Sequence, residues 1–189
     1  TLKSLQDPLH EMRLIKDEFE MSTMQRAANI SMVAHVLAMQ NVSPNMFEYE
    51  LQSVFDAHFV KNNAVHAYTP IVAGGKNACI LHYIENNQPL NDGDLVLIDA
   101  GCEFENYASD ITRTFPINGR FSTAQKQIYQ IVLDAQLAAI ESIKPGISVH
   151  KPHEIASNII RLGLESLGLL LPGEPLSNFY MHGTGHWLG

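Results

Sequence analysis

The 189-residue sequence has no apolar run long enough to cross a bilayer as a helix, no run of lysine and arginine, no CxxC pair and no low-complexity tract. Each absence removes a class of function. A helical span needs about 20 consecutive apolar residues, so no membrane partner is expected. Twelve basic residues against 20 acidic ones give a formal charge of −8. A nucleic-acid binder presents a basic patch instead, so none is expected as partner. Cysteine is scarce, with only Cys79 and Cys102. These read as small buried thiols of a reducing cytoplasm, not as a disulfide. What remains is ordinary for a globular domain with a core: 46% hydrophobic and 17% charged residues.

Periodicity organises the chain. Residues 1–16 are mixed and contain Pro8, and read as a linker or fraying end. Asp17 is a helix N-cap with Glu20 three residues on, the capping-box spacing. Phe19, Met24, Ala27, Ile30, Val33 and Leu37 then recur at helical spacing to about Asn41. A second helix is expected over about 47–62, with Phe47, Leu51, Val54, Phe55 and Phe59 on one face. Short apolar runs punctuated by Gly-Gly, Asn-Asn and Asp-Gly follow, the signature of strands and turns. Helices return over about 122–143 and 151–167, and "FYMHGTGHWLG" closes the sequence as a new strand. The order predicts an α+β domain, with helices covering a mostly antiparallel sheet.

The run "LVLIDAGCEFENYASDITRTFP" poses a chemical question. A hairpin over 95–115 turning near Phe104-Glu105 places Asp99 opposite Asp110. Opposed side chains lie about 4.5–5.5 Å apart at Cβ, where two carboxylates repel. A shared proton, an intervening Arg113, or divalent cations would relieve this. The scarcity of basic neighbours and the supply of imidazoles favour cations. The plainer reading is that one Asp simply caps a turn.

Among nine histidines, three stand out. His82 lies in "ACILHYIEN" on an expected strand, a context more typical of a satisfied core residue. His182 and His186 lie beside Gly183 and Gly185 in "MHGTGHWLG", where a helix is disfavoured and an extended segment puts both on one face. His10, His35, His58, His66, His150 and His153 read as structural or surface residues.

"LIDAGCEFENYASDITRTFP" and "MHGTGHWLG", with "CILHY", "DGDLVLIDAG" and "FSTAQKQIYQIVLDAQ", resemble the pita-bread metallopeptidases, and within them the aminopeptidase P family. The resemblance runs from about Lys16 onward. It implies an incomplete pita-bread fold and metal-dependent release of the N-terminal residue from Xaa-Pro peptides, by hydroxide held between two divalent ions, Mn²⁺ foremost. It makes Asp99, Asp110 and His186 metal ligands. His82 becomes a substrate-contacting group that steadies the tetrahedral intermediate, and His182 a residue of the proline-side pocket. Trp187 and Tyr180 are candidates for that pocket, with a plain core role for Trp187 the alternative. The family's two glutamate ligands and a further histidine have no match here, since Glu165 and Glu174 precede the last motif. Residues 1–16 are then expected to be a linker from a missing N-terminal domain. Residues 17–189 become a partial catalytic domain lacking its C-terminal part, inactive alone, from a cytoplasmic homo-oligomer. A prolidase or methionine aminopeptidase sibling is an alternative, as is a catalytically dead module that binds a peptide or protein.

Overall fold

Local signals set most of the helices. In the computed structural model, which describes residues 4–188, the lead-in stretch carries a first helix, α1, at Gln6–Leu14, with no buried residue. Asp17 caps α2, Glu18–Asn41. Its Oδ1 accepts from the Glu20 N–H at 2.8 Å and the Glu20 carboxylate accepts from the Asp17 N–H at 2.8 Å. Such a reciprocal cap contributes about 1 kcal/mol. Helix α3, Glu48–Lys61, follows.

Two compact units divide the chain, one up to Arg120 and one spanning Phe121–Trp187. In the first, α2 and α3 pack on strands. The strands are β1 Val65–His66, β2 Ile71–Gly74, β3 Leu95–Asp99, β4 Cys102–Phe104, β5 Tyr107–Ala108 and β6 Thr112–Pro116. They form two three-stranded antiparallel sheets, β1-β4-β5 and β2-β3-β6. Leu51, Phe55 and Phe59 of α3 are buried with Val72, Leu90, Val96 and Ile98 in one core.

The inward face of α2 differs from the expected one. Thr23, Ala27, Ile30, Ser31, Ala34, His35 and Ala38 are buried, while Phe19 and Val33 are 64% and 39% exposed. Small residues let the helix axis approach the strands closely, and Ser31 and His35 bond to backbone at the β3–β4 bend. Size of side chain is therefore a poor guide to the buried face. The cysteines also part company, Cys102 being buried and Cys79 exposed.

The second unit is a helix pair. α4, Thr123–Glu141, is capped by Ser122 with Gln125 in a capping box, and α5 spans Lys151–Ser166. A Cβ at Gly163 would sit 2.6 Å from Ile131, so glycine lets the pair close. Ala135, Ala139, Ala156, Ile160, Leu164 and Leu170 form its core. The expected final strand does not form: after a 3₁₀ turn at Leu176–Asn178, residues 179–188 carry neither helix nor strand. Gly183 and Gly185 weaken any strand tendency there.

Candidate metal centre

The acid-bearing hairpin keeps one register throughout, but not the expected one. Asp99 pairs with Thr112, and Val96 with Phe115. Phe104 pairs with Tyr107, so the turn residues are Glu105 and Asn106, with φ of 49° and 68°. Two successive left-handed residues make the type I′ geometry that suits strand twist. The Ala100 N–H to Ile111 O bond, 3.2 Å, and the Ser109 N–H to Cys102 O bond, 2.8 Å, carry the register through the bend. The register is thus displaced by two residues. Because side chains alternate with period two, a slip of two leaves both acids on the same face. Asp99 and Asp110 are diagonal neighbours, not a directly opposed pair.

Gly101 permits this bend. A Cβ there would lie 1.8 Å from the Ser109 carbonyl oxygen and 3.1 Å from Asp110 Cα. Helix α2 then grips the same backbone. Ser31 Oγ accepts from the Cys102 N–H at 2.9 Å and bonds to Ser109 Oγ at 2.7 Å. One turn later, His35 Nε2 donates to the Ala100 carbonyl at 3.2 Å, and its ring edge meets Phe55 at 4.9 Å. Burial is the main cause holding the His35 pKa below its usual range, so the ring is neutral and structural, as expected for this residue.

Tyr68 ties the acids together. Its hydroxyl is 2.6 Å from Asp99 Oδ1 and 2.9 Å from Asp110 Oδ1. One phenolic proton serves two carboxylates. Burial, then the hydrogen bond and charge of Asp99, then Asp110, push the phenol well above its ordinary pKa, so it stays a donor. Nothing in the sequence singled out Tyr68; it lies 31 and 42 positions from its partners. Arg113, the candidate for bridging the acids, donates to the Thr112 carbonyl at 2.7 Å. A shallow cavity of about 300 Å³, lined in part by Met21, Met24, Ala28 and Ile111, opens beside Asp110.

Two carboxylates on one face, served by one shared proton, make an oxygen-rich donor pair that fits a hard or borderline divalent cation. Among the described residues no group of three or more His, Cys, Asp or Glu side chains is gathered as a metal cluster.

His82 is not on a strand. A 3₁₀ turn at Gly75–Cys79 precedes it, and His82 itself has φ of 56°. The Ile80 N–H to Asn77 O and Tyr83 N–H to Ile80 O bonds, 3.0 and 3.3 Å, curl this backbone. In the second unit, His182 Nδ1 donates to the Gly183 carbonyl at 3.0 Å and His186 Nδ1 to the Trp187 carbonyl at 2.9 Å. This tautomer leaves the lone pair on Nε2, the form in which imidazole ligates a metal. Between them, Thr184 Oγ1 bonds to His153 Nδ1 at 2.9 Å and to the Tyr180 hydroxyl. Trp187 is 71% exposed and so plays no core part in this unit.

Antiparallel strands, helical cover and a paired-carboxylate bend define a class, and comparison with known proteins agrees. The chain belongs to metallopeptidase family M24, matched over residues 22–189. Its fold is the pita-bread one. It is 52% identical to the Xaa-Pro aminopeptidase of Haemophilus influenzae, over 96% of this chain and 44% of that protein. Against the Escherichia coli Xaa-Pro aminopeptidase it is 43% identical, over 96% and 43%. Aminopeptidase PepP of Pseudomonas aeruginosa superposes with a TM-score of 0.92 at 47% identity, covering 98% of this chain and 44% of that one. Proline aminopeptidase P II of Yersinia pestis gives 0.94 at 45% identity, covering 100% and 45%. The chain therefore spans under half the length of these relatives.

Proposed function

We propose that the whole protein is a metal-dependent aminopeptidase that releases the N-terminal residue from peptides with proline in second place. The observation that carries this reading is the placement of Asp99 and Asp110 on one face, sharing the Tyr68 hydroxyl. Without a cation that pair is repulsive; with one it is a ligand set. The chain's likeness to the Xaa-Pro aminopeptidases of Haemophilus influenzae and Escherichia coli supports the substrate class.

In this proposal Asp99, Asp110 and His186 would hold a pair of divalent ions, Mn²⁺ foremost because oxygen donors dominate. Bound there, such ions supply Lewis acidity that activates water and polarises the scissile carbonyl. The chain's own residues do the rest. Tyr68, kept protonated, donates to the carboxylates and orients their oxygens, and does not serve as a base. His82 donates to the oxyanion of the tetrahedral intermediate, an interaction made chiefly in the transition state and worth about 3–4 kcal/mol. His182 and Tyr180 line the side that receives the proline ring. The apolar wall of Met21, Met24 and Ile111 beside Asp110 limits the access of water to that carboxylate.

A non-catalytic peptide-binding module would have no need to keep both acids, and both are kept. Mn²⁺-dependent cleavage of Xaa-Pro-Xaa peptides by the whole protein tests the proposal. Asp110→Ala should lower kcat/KM by about a thousandfold or more. Wild-type turnover in that variant would end the metal reading of the hairpin. Activity on Xaa-Pro dipeptides alone would point to a prolidase instead.

A further inference from the structure

We infer that Glu48 is a positioning residue for His82: its buried carboxylate holds the loop that presents the imidazole. The inference rests on the role just proposed for His82. Glu48 opens α3 and is wholly buried, at 0% exposure. An acid in the first helical turn ordinarily faces solvent and favours the helix dipole. Here it faces inward and accepts four hydrogen bonds. Oε1 accepts from the Gly74 N–H at 2.8 Å and Asn77 Nδ2 at 3.0 Å. Oε2 accepts from the Tyr83 hydroxyl at 2.7 Å and the Gln88 N–H at 2.9 Å. Asn77 Nδ2 also donates to the Tyr83 hydroxyl at 3.2 Å, closing a ring.

These donors bracket the His82 loop at both ends and in its middle. Hydrophobic burial cannot hold that loop, because Ile80, Leu81 and Ile84 are each more than half exposed. Only Tyr83 and Asn86 are buried within residues 79–88. Asn86 accepts from the Val72 N–H at 2.9 Å and donates to the Pro70 carbonyl at 2.9 Å. Tyr83 packs with Ile71 and Ala73 and ends on Glu48. His82 therefore sits next to the anchored residue, in a left-handed conformation that a non-glycine residue keeps only where its surroundings impose it. Gly74 makes room for the anchor: a Cβ there would press Leu90 at 2.7 Å and lie 3.6 Å from Glu48 Oε1. The backbone beside the hairpin acids has a separate hold from α2, through Ser31 on the Cys102 N–H and His35 on the Ala100 carbonyl.

The test uses the whole protein with Tyr83→Phe and Glu48→Gln, each also in a His82→Ala background. Tyr83→Phe removes one donor and keeps the ring packing, so it serves even if Glu48→Gln fails to fold. Each variant should lower kcat about tenfold, with KM and Mn²⁺ affinity unchanged within about twofold. Once His82 is alanine, neither should cost more than about twofold further. The His82 imidazole resonance should shift or broaden in both variants. Equal losses with and without His82, lost metal affinity, or an unmoved resonance would overturn the inference. If His82→Ala alone keeps wild-type kcat, the catalytic reading of His82 falls, and the resonance decides the anchoring by itself.

Discussion

At Gly101 in the acid hairpin an added methyl group would lie 1.8 Å from a carbonyl oxygen, whereas at Gly183 and Gly185 of the histidine segment it meets nothing closer than 4.0 Å. The same residue type serves opposite ends. In the hairpin, glycine lets two backbones cross at a distance no side chain tolerates, and Ser31, His35 and Tyr68 then fix what is left. In the histidine segment no neighbour presses on the glycines, and the side chains around them are exposed. A pair of carboxylates set by the packing of its own unit is preorganised for a cation. The histidine segment is instead held by side chains, Thr184 bonding to His153 and to Tyr180.

This contrast can be broken at graded strength. Gly101→Ala should destabilise the first unit by more than about 3 kcal/mol, read as a loss of urea midpoint. A near-neutral result would mean that the bend opens freely. Ser31→Ala leaves the Cys102 N–H without its side-chain acceptor on α2, and should cost about 1–3 kcal/mol in the same assay. A cost below about 0.5 kcal/mol would show that Ser109 alone suffices.

The legible and illegible parts of the chain follow the same division. Asp17 with Glu20 announced the start of α2 because a cap is made within four residues. The common face of Asp99 and Asp110 was readable from alternation alone, and survived a register error of two because two is the strand period. The error arose at Glu105-Asn106, where the left-handed turn contains no glycine to mark it. Tyr68 and the inward Glu48 were not readable. Each acts through partners tens of residues away, Glu48 with Gly74 at a separation of 26 and Gln88 at 40. His82 was misplaced on a strand because "CILHYI" is apolar, yet its aliphatic side chains are the exposed ones and only Tyr83 is buried.

Protonation sharpens the comparison within the first unit. Burial, then the hydrogen bond to Glu48 and its charge, push the Tyr83 hydroxyl up to about 12, against about 10 in an unfolded chain. Folding thus favours the protonated phenol. Its contribution is fully present below about pH 10 and is lost as pH rises through about 12. Urea midpoints followed from pH 9 to 12 should fall more steeply for wild type than for Tyr83→Phe; equal slopes would deny the coupling. The smallest effect belongs to the histidine segment. Gly185→Ala should change stability by no more than about 0.5 kcal/mol, and a larger loss would show a packed environment there.

The most direct measurement is the number of Mn²⁺ ions retained by the whole protein at equilibrium dialysis, beside Asp110→Asn. The account predicts two ions per chain for wild type and at most one weakly held ion for the variant. Equal retention by both proteins would show that the acids of the hairpin are not where the metal binds.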